Sequence, residues 1–155
     1  MARSRDGIKV VARNRKAFHD YFIEETYEAG IVLKGTEIKS IRASRVSLRE
    51  GFVAPRDGEL WLMDVHIAPY DQAGTWTHDP TRPRKLLLHK REIVNLISDA
   101  RERSYTIVPL RMYLRDNLAK VEIALVKGKR QYDKRRAIAE RDAQRRMERD
   151  WKRTK

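Results

Sequence analysis

Apolar residues recur at two different periods along this chain, and the changes of period mark its elements. From Tyr21 to Leu33 aromatic and β-branched residues are interleaved with polar ones, with alternation clearest around Ile23, Glu25 and Tyr27, which predicts a long strand. Just ahead of it, Asn14 is placed to cap a short helix over Arg15 to Asp20. Gly35-Thr36 precedes Ile38 and Ile41, three residues apart; a strand would put these on opposite faces, so a short helix with Thr36 as its cap is expected. Gly51 to Arg56 and Glu59 to Ile67 flank Asp57-Gly58, the dipeptide of a type I′ hairpin, in which both central residues need positive φ.

Between Ala68 and Pro83 the apolar pattern lapses, and Pro69, Gly74, Pro80 and Pro83 predict a long surface loop with a basic end at Arg82, Arg84 and Lys85. After Leu86 to Leu88, the residues Ile93, Leu96, Ile97 and Ala100 at i, i+3, i+4 and i+7 predict an amphipathic helix from about Lys90 to Arg101. A second hairpin is expected from Tyr105 to Leu114 and Leu118 to Val126 across Arg115-Asp116-Asn117, with Pro109 marking an edge or a bulge. The body is therefore expected to be mainly β: an antiparallel barrel of the OB type with about six strands and two or three peripheral helices. Closure would remove the edges that otherwise pair with other chains.

Charge divides the chain differently. Lys and Arg total 35 and Asp and Glu 22, a net +13. Residues 1–16 hold six basic groups and one acidic, residues 127–155 thirteen and five, and residues 17–126 sixteen of each sign, so the whole excess lies at the ends. The expected organisation is a basic arm over 1–13, a barrel domain over 14–126 and a basic tail over 127–155. In the tail Ala139, Ala143, Met147 and Trp151 recur every four residues among mixed charges. That narrow stripe predicts a segment disordered in the free protein and helical on a partner. Cationic ends on a neutral body favour a polyanion, because each neutralised phosphate releases counterions; tails that only solubilise, or that touch an anionic membrane, are the competing readings.

Several chemistries are excluded or weak. The chain has no cysteine, so a disulfide, a thiolate metal site and a cysteine nucleophile are out. His19-Asp20 has no further ligands at set spacing, with His66, His78 and His89 scattered, and Lys127-Gly128-Lys129 lacks the glycine and the Ser/Thr of a phosphate-binding loop. At period 2 Glu24 and Glu28 share a strand face, which a solvated surface explains as well as an acid/base pair does. No metal, cofactor or catalysis is expected, no apolar run approaches a spanning helix, and a cytoplasmic monomer is the expectation. Tyr21, Phe22 and Tyr27 on the first strand are core residues or base-stacking groups. Trp76 in the loop is a contact or local packing, and Trp151 is a docking anchor in the tail.

Five segments, in order, carry a resemblance: Asn14-Arg15-Lys16-Ala17 with His19 to Ile23, Glu28 to Ile31, Gly35 to Ser40, Arg84 to Lys90, and Lys127-Gly128-Lys129 with Tyr132 to Arg135. Together they resemble the SmpB family of bacterial SsrA-binding proteins over nearly the whole chain. The resemblance implies an OB-type barrel with a flexible tail. It implies an adaptor that binds the tRNA-like domain of transfer-messenger RNA and travels with it and, indirectly, elongation factor Tu to stalled ribosomes for trans-translation. It implies RNA contacts at Asn14, Glu28, Leu87 and Lys120, with Arg84 and Lys85 beside them. Glu28 would accept a base or ribose donor or position a neighbouring arginine. It also implies that Lys127, Gly128, Lys129, Tyr132, Asp133, Lys134 and Arg135 approach the 16S rRNA decoding centre, with the following helix in the empty mRNA channel. A general single-strand RNA chaperone or a ribosomal protein is the rival reading from the residues alone, and a nuclease the third.

Overall fold

In the computed structural model, which describes residues 7–70, 77–129 and 145, the chain enters the sheet earlier than its charge suggests. Residues 8–13, expected to belong to a basic arm, form β1 (Ile8–Arg13) with Ile8 and Val11 buried. There follow α1 (Arg15–Asp20), β2 (Tyr21–Ile31), α2 (Gly35–Arg42), β3 (Val46–Ser47), β4 (Phe52–Arg56) and β5 (Glu59–Met63). Then come β6 (His66–Ile67), β7 (Arg84–Leu87), α3 (Lys90–Arg103), β8 (Thr106–Arg115) and β9 (Leu118–Gly128). The mainly β, antiparallel character matches expectation, and among the described residues these three helices are joined by nine strands in place of about six.

Seven strands make one antiparallel sheet in the order β1-β8-β4-β5-β7-β2-β9, and β3 with β6 makes a separate ribbon. Because β9 pairs with β8 as well as β2, the pairings run from β8 through β4, β5, β7, β2 and β9 back to β8, so the sheet curls on itself. Two irregularities help it curl, one between Ile23 and Glu25 in β2 and one between Pro109 and Arg111 in β8. An extra residue on one strand bends it and increases its twist. Pro109 therefore sits at a bulge of a central strand, one of the two alternatives its ring allows.

Both hairpin turns use residues at positive φ, Asp57 (53°) with Gly58 (75°) and Asp116 (49°) with Asn117 (65°), as the right-handed twist of the flanking strands requires. The strand expected over Glu59 to Ile67 is instead broken at Asp64, whose φ is 56°, and β6 leaves to pair with β3. Asn14 caps α1, its Oδ1 accepting from the Ala17 N–H at 3.1 Å. Thr36 does not cap α2. Glu37 reaches back to accept the Lys34 N–H at 2.8 Å, and the Thr36 hydroxyl lies 2.9 Å from His78 Nδ1.

The main core lies inside the curled sheet, where Leu62, Leu86, Met112, Val121, Ile123 and Leu125 meet Ile93 and Leu96 of α3. A smaller cluster of Ala17, Val108, Leu110, Ala124 and Val126 lies on the other face under α1, with Tyr21 and Ile23 packed against it. Buried residues fill every position of β8 from Ile107 to Leu114 except Arg111: Ile107, Met112 and Leu114 join the main core, Val108 and Leu110 the smaller cluster, and Tyr113 belongs to neither.

Candidate nucleic-acid interface

Cross-strand partners in a sheet share a face, so register alone decides which outward side chains meet. Gly30 of β2 lies opposite Leu87 of β7 on one side and Lys120 of β9 on the other, and Lys120 lies opposite Tyr113 of β8. A parallel row joins Glu28, Glu122 and Arg111. The alternate residues Ala29, Val121 and Met112 are buried in the core. Glu28, Leu87 and Lys120, spread over 92 residues of sequence, thus stand on one outward face. Lys85 shares the outward side of β7 with Leu87, its Nζ 3.9 Å from Glu59 Oε1. Leu87 is about half exposed, and a Cβ at position 30 would lie only 3.2 Å from its own. Glycine there lets the leucine lie across the strand.

Glu28 accepts the Tyr113 O–H at 2.5 Å and an Arg115 N–H at 3.1 Å. Arg111 donates from Nε and Nη2 to Glu122 at 3.3 and 3.1 Å. Both guanidiniums lie against the Tyr113 ring, with Arg111 Cζ 4.9 Å and Arg115 Cζ 5.8 Å from its centroid. Burial raises the Tyr113 phenol above the ordinary range, and the hydrogen bond and charge of Glu28 push it the same way, so it stays a donor. Glu28 is thus ion-paired with Arg115 as well as bonded to Tyr113. Arg111, Tyr113 and Arg115 were missed in the sequence, although their alternation with Met112 and Leu114 in a strand marks them as one outward face.

Two expected RNA-facing side chains point inward. Arg84 is wholly buried: its Nε donates to Glu37 Oε2 at 2.6 Å, Nη1 to the Val65 carbonyl at 2.6 Å and Nη2 to the Pro80 carbonyl at 3.1 Å. It shares the inward side of β7 with Leu86, and its charge is spent on Glu37, to which Arg82 also donates at 2.6 Å. Burial alone would raise the Glu37 carboxyl, but the bonds from Arg82, the Lys34 backbone and Arg84 outweigh it and hold the group below its ordinary value. Asn14 is 3% exposed, its Nδ2 donating to the Pro109 carbonyl at 2.9 Å and the Leu48 carbonyl at 3.2 Å while Oδ1 caps α1. All three of these bonds are made within the protein.

Lys127 and Gly128, expected in the tail, close β9 opposite Phe22 and Tyr21. Lys129 Nζ lies 5.3 Å from the centre of the Phe22 ring. Tyr27 packs against the main core and Tyr21 against the smaller cluster, whereas Phe18 and Phe22 are exposed. Tyr132, Asp133, Lys134 and Arg135, the remaining tail positions apart from 145, with Trp151 among them, and Trp76 lie outside the described residues, so the expected helix on a partner does too. Among the described residues no group of three or more His, Asp or Glu side chains is placed to hold a metal ion, and no helix is long and apolar enough to cross a membrane.

The chain is similar throughout to proteins already characterised. The SmpB protein family matches it over residues 11–153. SsrA-binding protein from Roseiflexus sp. (strain RS-1) is 63% identical over 150 residues, covering 96% of this chain and 95% of that one. SsrA-binding protein from Halothermothrix orenii is 56% identical over 147 residues, covering 95% of each. A chain of the solved structure "tmRNA-SmpB: a journey to the center of the bacterial ribosome" superposes with a TM-score of 0.65 at 48% identity, over 76% of this chain and 82% of that chain. With a family match over nearly its whole length and relatives above half identity, the chain belongs to the SmpB protein family.

Proposed function

We propose that this protein is a cytoplasmic, monomeric RNA-binding adaptor of trans-translation, without catalytic chemistry or cofactor of its own. It binds the tRNA-like domain of transfer-messenger RNA through the outer face of an OB-type barrel formed by the curled sheet. The observation that carries this reading is the convergence of Glu28, Leu87 and Lys120 on one face, from three strands, in a chain whose relatives are SsrA-binding proteins. Lys120 and Lys85 neutralise phosphate, Leu87 packs on a base or ribose, and Glu28 works through the arginine it orients. Asn14 and Arg84 act from inside, fixing α1 and the segment leading to β7.

The tail has a second partner. Lys129 leaves the sheet beside Phe22, and Tyr132, Asp133, Lys134 and Arg135 carry the chain to the 16S rRNA decoding centre, with the arginine-rich segment beyond them in the empty mRNA channel. An occupied channel excludes it, which selects ribosomes stalled on truncated messages without reading sequence. Elongation factor Tu accompanies the complex through the RNA.

The test is binding of the full-length chain to the tRNA-like domain at near-physiological salt against excess bulk tRNA. Preference that survives competitor and is lost in Lys120→Ala supports the adaptor reading. Equal displacement by any RNA would leave only the counterion effect and favour a general RNA-binding protein. Because β9 runs to Gly128, the tail is removed after Lys129. That truncation should keep RNA binding and abolish tagging, and retained tagging would refute the division of labour.

A further inference from the structure

We propose that Tyr113 is a positioning residue for RNA recognition. By bonding Glu28 and packing between Arg111 and Arg115, it holds the two guanidiniums as a fixed pair that fits the phosphate spacing of a folded RNA rather than any polyanion. The inference rests on the adaptor reading and deepens it.

The phenol is 2% exposed, yet it sits on the outward face among charged residues. What covers it is the charged shell itself: Arg111 and Arg115 over the ring, and Glu28 on the hydroxyl at 2.5 Å. A guanidinium stacked on an aromatic face and bonded at one edge keeps its plane fixed while its remaining N–H donors stay available, since it carries five. Each arginine has such an edge bond, Arg111 to Glu122 and Arg115 to Glu28. The two carboxylates weaken the long-range pull on RNA, so their presence on a binding face is explained by what they orient. Freely rotating arginines would bind any phosphate backbone. A pre-set pair loses less conformational entropy on binding, but only where two phosphates arrive at its own spacing. Selectivity for shape follows from rigidity, and Tyr113 touches both cations and one of the orienting acids.

The experiment compares full-length wild type, Tyr113→Phe and Arg115→Lys for binding to the tRNA-like domain of transfer-messenger RNA and to an unstructured single-stranded RNA of equal length, over a salt series, with thermal unfolding in parallel. Tyr113→Phe keeps the ring and every charge and removes one hydrogen bond to an ionised acceptor. It should weaken binding to the folded RNA about tenfold or more, leave the single-stranded RNA within about twofold, and keep the salt slope. Arg115→Lys keeps the charge but not the fork and should show the same selective loss. If wild type prefers the folded RNA and both variants keep that preference, the inference is overturned while the adaptor reading stands. Equal loss on both RNAs with a lowered melting temperature would make Tyr113 a framework residue and also overturn it. If wild type shows no preference between the RNAs, the adaptor reading fails and takes this inference with it.

Discussion

The guanidinium of Arg84 and the carboxylate of Glu37 meet at 2.6 Å with neither side chain reaching solvent. Such a pair contributes little beyond what two well-packed apolar residues would, but removing one member strands the other as a buried charge. Arg84→Ala should therefore cost about 3–5 kcal/mol of folding stability. It also abandons the Val65 and Pro80 carbonyls and unties the segment before β7. Denaturant unfolding measures the loss, and a cost below about 1 kcal/mol would mean that water reaches the pair in solution.

Acid should act through the same carboxylate. Glu37 is held below its ordinary value of 4.5, so the stability it contributes is fully present above that value and is lost as pH falls through the lower folded one. Wild type should lose stability from about pH 5 downward, and Glu37→Gln, already weaker at neutral pH, should show a flatter decline over the same range. Parallel declines in the two proteins would move the acid sensitivity to other carboxylates.

Close approach at Gly51 gives a packing test. A Cβ there would meet Val65 Cγ2 at 2.6 Å, Pro109 Cγ at 3.0 Å and the Leu48 carbonyl at 3.1 Å, three neighbours fixed by strand and turn. Gly51→Ala should destabilise by about 1–3 kcal/mol. Gly35, where nothing lies within 4 Å, is the control, and alanine there should be neutral or stabilising by up to about 1 kcal/mol. Thermal melts of the two variants should diverge, and coincident melts would mean that the segment at Gly51 yields freely.

These residues also mark how far local sequence could be read. Asp57-Gly58 was legible because few residues tolerate positive φ in succession, so composition alone names the turn. Asn14 was legible as a cap because its helix begins at the next residue, but its two long-range bonds, to Leu48 and Pro109, depend on chain folded 34 and 95 residues away. Residues 8–13 looked like part of an arm because the charge excess is counted over residues 1–16, although four of these six are apolar. Pairing with β8, about a hundred residues later, makes them a strand. Arg82, Arg84 and Lys85 looked like one basic patch, and Glu37, 45 and 47 residues upstream, draws the first two to itself. Alternation along β7 held the missing clue, since Arg84 must share its side with Leu86.

Charge arithmetic and geometry make opposite forecasts for Glu28. If it were only a negative charge facing RNA, Glu28→Ala would strengthen binding. Because it holds Tyr113 and Arg115, its loss should weaken binding to the tRNA-like domain about tenfold while leaving the salt slope nearly unchanged. Lys120→Ala should instead reduce the slope by about 1, as expected for one lost phosphate contact. Isothermal binding at three salt concentrations separates them, and stronger binding by Glu28→Ala would contradict an orienting role.

Asn14 separates framework from contact most sharply, because its two ends do different things. Asn14→Ala removes the cap and both donors, at about 1–3 kcal/mol. Asn14→Asp keeps the cap, and a carboxylate there would suit the start of α1, yet it turns two donors into an acceptor facing the Leu48 and Pro109 carbonyls. A residue exposed enough to touch RNA would tolerate aspartate better than alanine in folding and lose binding through repulsion. A buried one should find aspartate the more destabilising of the two, with RNA affinity per folded molecule little changed. Unfolding free energies and binding of the folded fraction, measured on both variants, decide between them. If aspartate proves the milder change for stability and the harsher for binding, Asn14 belongs on the RNA face after all.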